Sequence, residues 1–259
     1  MSYSYSTPIL ELKNISLSYG SKEILKDINL QILDIIGEQS TGQIITLLGR
    51  SGIGKSTLLK IIAGLVHPTT GEVLVGLDPK PVVPGQIGMV LQNYPLFEHR
   101  TVKSNFELVC KDSEKIKFYA EEFDVAQHLS KYPCQLSGGQ RQRSAIIQQL
   151  LCSDKFILLD EPFSGLDPLA IEKLCRTIKK VANLDSENTV IISSHIIEPA
   201  LSISNEVIML DKIEDGPASV VLNLDLIKQG VFGLEKPRED ARFTKICEDI
   251  RKLFYSSLK

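Results

Sequence analysis

Hydrophobic positions along this 259-residue chain change their period several times, and each change marks a different kind of element. Between residues 9 and 19, Leu10, Leu12, Ile15, Leu17 and Tyr19 recur in near alternation, and Ile28, Leu30 and Ile32 alternate with Asn29 and Gln31. A period of two predicts half-buried strands of an antiparallel kind. After a largely polar stretch, 34–43, unbroken apolar runs take over at 44–48, 156–159, 189–193 and 207–210. Such runs predict parallel strands covered on both faces. Residues 73–75 and 87–91 are further strand candidates, with a Gly- and Pro-rich turn region, 76–85, between them. Helical spacing appears at Leu58, Ile61, Ile62 and Leu65, closed by Gly64 and Pro68. From 102 to 131 polar residues dominate, with Ile116, Tyr119, Phe123 and Ala126 at helical intervals, which predicts a small inserted helical subdomain. Residues 211–234 lack a period and read as hairpin and loop. Beyond Pro237, the residues Phe243, Ile246, Ile250, Leu253 and Phe254 share one face of an amphipathic helix. The sum is one α/β domain over 1–259: a mixed sheet with an antiparallel β edge subdomain, a helical subdomain at about 97–150 and a helical tail at about 237–259.

Between the run 44–48 and the first helix lies Gly49-Arg50-Ser51-Gly52-Ile53-Gly54-Lys55-Ser56-Thr57, which satisfies G-x-x-x-x-G-K-[ST] at every fixed position. Strand, glycine loop and helix together are the context of a loop that wraps the phosphates of a nucleoside triphosphate, and they predict a P-loop NTPase core. Gly49, Gly52 and Gly54 allow turns closed to side chains and bring successive N–H groups toward phosphate oxygens. The following helix adds its N-terminal dipole. Lys55 reaches the β- and γ-phosphates as a point charge, and the Ser56 hydroxyl is suited to Mg²⁺.

Composition changes this picture little. With 43% hydrophobic and 24% charged residues, neither disorder nor a fibrous repeat is expected. A net charge of -3 gives no broad basic footprint, so no nucleic-acid partner is expected. No apolar stretch approaches the roughly 20 residues needed to cross a bilayer, and the start lacks the basic and apolar regions of a signal peptide. A cytoplasmic chain is the expectation. Cys110, Cys134, Cys152, Cys175 and Cys247 form no C-x-x-C pair and read as reduced structural thiols, with no zinc site expected.

A second glycine-rich stretch, Leu136-Ser137-Gly138-Gly139-Gln140, precedes a helix whose apolar face includes Ile146, Ile147 and Leu150. Standing alone it reads either as an N-cap serine before permissive glycines or as a second anion-binding helix N-terminus. Asp160 ends a buried strand, where a carboxylate is costly unless paired; opposite Ser56 it would hold the Mg²⁺ shell. With the phosphate loop, Leu136 to Gln140 make the chain resemble the nucleotide-binding subunits of ATP-binding cassette (ABC) transporters, whose signature sequence this pentapeptide is. Matching elements run from Tyr19 to His195.

The resemblance implies roles that spacing alone does not give. Glu161 is similar to the family's general base for the attacking water, and His195 to its switch histidine at the γ-phosphate. Gln92 resembles the glutamine that touches Mg²⁺ or water, and Tyr19 the aromatic that stacks on adenine. Ser164-Gly165-Leu166-Asp167 resembles the loop that crosses the dimer interface, and Tyr94-Pro95-Leu96-Phe97 would lie where a membrane subunit docks. Ser137, Gly138, Gly139 and Gln140 would close on ATP held by the phosphate loop of a second copy. The implied assembly is a head-to-tail homodimer with two ATP molecules at its interface, bound to transmembrane permease subunits on the inner face of the membrane and, through them, to a substrate-binding protein.

The sequence departs from the family's pattern at 34–41, which is several residues longer than expected and reads as a longer hairpin. A second departure is at Ile196 to Ala200, where Pro199 follows the histidine. The expected function is an ATPase subunit driving an importer. The compact cassette and Glu235 to Asp240, similar to tails of nitrate, sulfonate and taurine importers, favour import. The alternative is a soluble cassette ATPase acting as a mechanochemical part of a cytosolic complex.

Overall fold

The structure is a computed structural model that describes residues 3–37, 42–153, 155–212 and 216–256. Its strands are β1 (Tyr3–Tyr19), β2 (Lys22–Gly37), β3 (Gln43–Leu48), β4 (Thr70–Val75), β5 (Lys80–Pro81), β6 (Gly88–Val90), β7 (Phe156–Leu159), β8 (Thr189–Ser194), β9 (Glu206–Lys212) and β10 (Ala218–Asp225). Its α-helices are α1 (Lys55–Ile62), α2 (Val102–Val109), α3 (Ser113–Glu122), α4 (Gly138–Cys152), α5 (Pro168–Asn183), α6 (Ile197–Leu201) and α7 (Ala241–Ser256). All ten strands join one sheet in the order β5-β4-β1-β2-β10-β9-β3-β8-β7-β6.

Two styles of pairing meet in that sheet, as the change of hydrophobic period predicts. β1 pairs antiparallel with β2 and β4, whereas β3 pairs parallel with β8 and β9, and β7 parallel with β8 and β6. The parallel strands are buried on both faces: Ile44 and Leu48 enter one hydrophobic cluster, Ile45 and Leu47 the other. Successive residues of a strand point to opposite faces, so one continuous apolar run feeds two cores. Among the described residues, the two halves are joined at β2 and β10 by a single parallel bridge, Ala218 to Leu25.

The first two strands are longer than the alternation predicts. β1 begins at Tyr3, and β2 continues to Gly37, where it pairs with Tyr3, so the part of the 34–41 departure that is described extends the hairpin. Residues 38–41 lie outside the described residues.

Helices α2, α3 and α4 occupy the crossover between the neighbouring parallel strands β6 and β7. Phe106, Ile116 and Phe123 pack there against Ala145, Ile146 and Leu150 of α4. Ala126 falls in a separate short 3-10 turn, Ala126–His128.

Two helix faces are set differently from the predicted ones. Leu65 is 56% exposed because α1 stops at Ile62 and Gly64 reverses the chain at φ 72°. On α7 the buried stripe is Phe243, Cys247, Ile250 and Phe254, whereas Leu253 is 44% exposed. Burial pushes the Cys247 and Cys175 thiols up to about 11, which makes them poor nucleophiles. Among the described residues no helix is long and apolar enough to cross a membrane.

Candidate functional site

Strand order creates the site. β8 lies between β3 and β7, and all three run parallel, so their C-terminal ends lie side by side. Gly49 follows β3, Asp160 and Glu161 follow β7, and His195 follows β8. Residues far apart in sequence therefore converge at one edge, the usual ligand edge of a parallel sheet.

The loop between β3 and α1 is packed as tightly as its glycines demand. A Cβ at Gly49 would lie 2.8 Å from Ile53 Cγ2 and 2.9 Å from Leu210 O, so the backbone there lies directly on β9. Gly54, at φ 115°, would bring a Cβ to 2.9 Å from Leu25 Cδ2. Ile53 is buried and pins the loop to the core, while Ser51 and Gly52 are exposed at its tip. Arg50 donates to Asp211 Oδ1 at 2.7 Å, and the Gly49 N–H donates to Ser194 O at 3.2 Å, tying the loop to both strands that flank β3.

Lys55 is the electrostatic centre. Its side chain is only 4% exposed, so its charge requires partners. Nζ donates to Gly49 O at 2.7 Å and Arg50 O at 2.9 Å, and stands 2.8 Å from Glu161 Oε1. Three partners match the three protons of an ammonium group. The other carboxylate oxygen, Glu161 Oε2, accepts from His195 Nδ1 at 2.7 Å. Glu161 thus bridges the loop lysine and the histidine. It does so from a left-handed backbone, φ 48°, which a non-glycine residue adopts only when its surroundings hold it there.

Asp160 forms a second node one residue earlier. Ser56 Oγ donates to Asp160 Oδ1 at 2.9 Å, and Ser193 Oγ donates to the same oxygen at 2.7 Å. Ser193 Oγ also accepts from the Glu161 N–H at 2.8 Å, so one buried hydroxyl orients both acids. Sequence reasoning missed Ser193 and Asp211. The signals were present: a hydroxyl closing the apolar run before His195, and an acid closing 207–210 as Asp160 closes 156–159.

The remaining sequence candidates stand outside this network. Tyr19 is 57% exposed at the end of β1, available as a flat platform. Gln92 is exposed, and among the described residues no hydrogen bond ties its side chain to the acids. Ser137 caps α4, with its Oγ accepting from the Gln140 N–H at 3.4 Å and Gln140 Oε1 accepting from the Ser137 N–H at 2.9 Å. This reciprocal capping box holds Ser137, Gly138 and Gly139 exposed at the helix start. Asp167 caps α5, accepting from the Ala170 N–H at 3.0 Å.

The stretch 94–97 is not wholly outward-facing. Phe97 is exposed, but Leu96 is buried, and Tyr94 turns inward, its OH donating to Pro162 O at 3.2 Å and bonding Gln142 of α4. Burial raises the Tyr94 phenol above its ordinary range. This side chain links the segment after β6, the turn after Glu161 and the helix that follows the Ser137 stretch.

A glycine loop folded over a buried lysine, with a hydroxyl–carboxylate pair beside it and a mixed sheet behind, defines the P-loop NTPase class. Residues 32–164 match the family model described as ABC transporter, and the chain belongs to that family. It is 35% identical to the sulfate/thiosulfate import ATP-binding protein CysA of Thermosynechococcus vestitus, over 78% of this chain and 61% of that protein. It is 32% identical to the aliphatic sulfonates import ATP-binding protein SsuB 3 of Pseudomonas savastanoi pv. phaseolicola, over 86% of this chain and 80% of that one. In fold it resembles cbiO1 of Clostridium perfringens, part of the ABC transporter complex cbiONQ, with a TM-score of 0.73 at 23% identity, covering 95% of this chain and all of the other. The chain spans about three fifths of the length of the first curated relatives it matches.

Proposed function

We propose that this chain is the ATP-binding and ATP-hydrolysing subunit of an ABC importer, working as one ATPase domain. The observation that carries the reading is the Lys55–Glu161–His195 bridge beside the Ser56–Asp160 pair. A buried lysine and a histidine held on one carboxylate form a polar seat at the mouth of a glycine loop, suited to the terminal phosphate of ATP. The backbone from Gly49 to Thr57 cradles the phosphates, and Tyr19 offers its ring to the adenine.

The donor set also fits Mg²⁺. A hydroxyl and a carboxylate already in contact, Ser56 and Asp160, are hard oxygen ligands of the kind this ion prefers, and Gln92, exposed after β6, would have to turn toward them to add a third oxygen. When bound, Mg²⁺ neutralises phosphate charge. Glu161 orients and polarises the attacking water as general base, His195 holds the γ-phosphate, and Lys55 exchanges its carboxylate partner for phosphate oxygens. Ser137, Gly138, Gly139 and Gln140 complete the site of a second copy, since they stand exposed and pre-capped in the isolated chain. ATP then favours the closed homodimer, and hydrolysis reopens it.

The names of the relatives, import ATP-binding proteins for sulfate or thiosulfate, spermidine or putrescine, and aliphatic sulfonates, support import; transmembrane permease partners would hold the chain on the cytoplasmic face. A substrate-binding protein would act through the permease. The Glu161→Gln variant tests the site: it should bind ATP with Mg²⁺ and elute as a stable dimer on sizing chromatography, with hydrolysis reduced by about a hundredfold or more. A variant that stays monomeric under those conditions rules out the shared site. Copurification of the native chain with a multi-spanning membrane protein supports transport, and a purely soluble complex contradicts it.

A further inference from the structure

We infer that the C-terminal segment is a positioning device for His195, acting through Glu198. This rests on the ATPase reading above and adds to it three residues outside the nucleotide site. His195 sits between β8 and α6, a helix of only five residues, so the path of its backbone depends on how both neighbours are anchored. On the β8 side the anchor is local: Ser194 Oγ accepts from the Ile196 N–H at 2.9 Å. On the α6 side it is distant in sequence. Glu198, three residues after the histidine, is held by Arg251 of α7 and stands 3.6 Å from Arg238 Nε in the 3-10 turn Pro237–Glu239 that precedes α7.

Packing and charge divide the work. Ile197, Ala200 and Leu201 are buried in the same cluster as Phe243, Cys247, Ile250 and Phe254 of α7, which fixes how far α6 sits from the sheet. α6 also borders a cleft of about 910 Å³ between α5, α6 and the tail, lined by Leu169, Glu172, His195 and Tyr255 among others. Glu198 stands at that cleft with Arg238 and Arg251. The two guanidinium groups converging on one carboxylate tie α6, and the His195 backbone that leads into it, to the C-terminal segment.

The full chain tests this. Glu198→Gln, and Arg238→Met combined with Arg251→Met, should each lower kcat for ATP hydrolysis about three- to tenfold, in keeping with partly exposed ion pairs, while KM for ATP changes by less than about twofold. Arg251→Lys, which keeps the charge, should restore most of the rate. In a His195→Ala background the same changes should cost nothing further, because the residue they position is gone. In the nucleotide-free chain the His195 imidazole resonance should move with Glu198→Gln, and those of the exposed His67 and His99 should not. An unchanged kcat, an undiminished loss in the His195→Ala background, or an unmoved His195 resonance overturns the inference. If the wild-type chain hydrolyses no ATP, the functional reading fails instead, and the resonance decides the role of Glu198 by itself.

Discussion

Ser193 shows what a single hydroxyl does at this site. It donates to Asp160 Oδ1 and accepts from the Glu161 N–H, so it holds a carboxylate that is 8% exposed and a backbone in the left-handed region at once. Replacing it by alanine leaves both groups short of a partner in a place water does not reach. Ser193→Ala should cost about 1–3 kcal/mol in urea unfolding and about tenfold in kcat. An unaltered kcat would show that Glu161 holds its position without it. The phosphate loop was legible because all of its requirements are local: glycines, lysine and hydroxyl lie within nine residues, and their spacing is the chemistry. Asp160 was legible as the end of an apolar run, and Glu161 and His195 through the family resemblance. Their convergence depends on β8 lying between β3 and β7, an order no local pattern carries. Ser193 and Asp211 were missed for the same reason, since the groups that give them meaning, Asp160 and Arg50, come from other strands.

Elements were legible to the extent that one neighbour dominates their environment. The runs at 44–48, 156–159 and 189–193 are buried on both faces and became β3, β7 and β8 nearly residue for residue. The ends of β1 and β2 were not, because Tyr3 to Pro8 is mixed in character and acquires a strand's hydrogen bonds only from pairing with 33–37. On α7 the helix itself was legible, but its buried stripe turns by part of a residue step from the predicted one, taking in Cys247 and leaving out Leu253. A helical period fixes an apolar face to within one position, and the partner surface picks the position; here that surface is α6 and the sheet. Ile250 lies at the centre of the stripe and is 2% exposed. Ile250→Ala should therefore destabilise the chain by about 2–5 kcal/mol. A urea midpoint shifted by less than about a quarter of the range expected for core truncation would mean that α7 opens independently of the sheet it packs on.

At the scale of the whole molecule, the antiparallel and parallel halves meet along a seam with one β2–β10 bridge among the described residues, and a polar cluster sits at one end of it. Tyr5, at the start of β1, donates to Asp225 Oδ2 at 2.5 Å across to the end of β10, and Lys228 Nζ lies 4.5 Å from the Tyr5 ring centroid. Glu206, at the start of β9 and paired with Asp225 in the ladder, is half-buried beside this cluster. Burial raises its carboxyl from 4.5 to about 7; nearby Asp225 adds to the rise, against the opposing hydrogen bond to Asn223 and the charge of Lys228. A raised acid means that the folded chain holds a proton the unfolded chain has released between those two values. The contribution of Glu206 is therefore fully present below pH 4.5 and declines as pH rises through about 7, where the ionised carboxylate must be carried in a site that disfavours it. Glu206→Gln keeps the shape and removes the titration. The variant should match the wild-type chain near pH 5 and exceed it at pH 8 by on the order of 1–3 kcal/mol, read as a gap between the two unfolding curves that opens with pH. Parallel curves from pH 5 to 8 would mean that Glu206 titrates in its ordinary range and that the end of the seam is open to water.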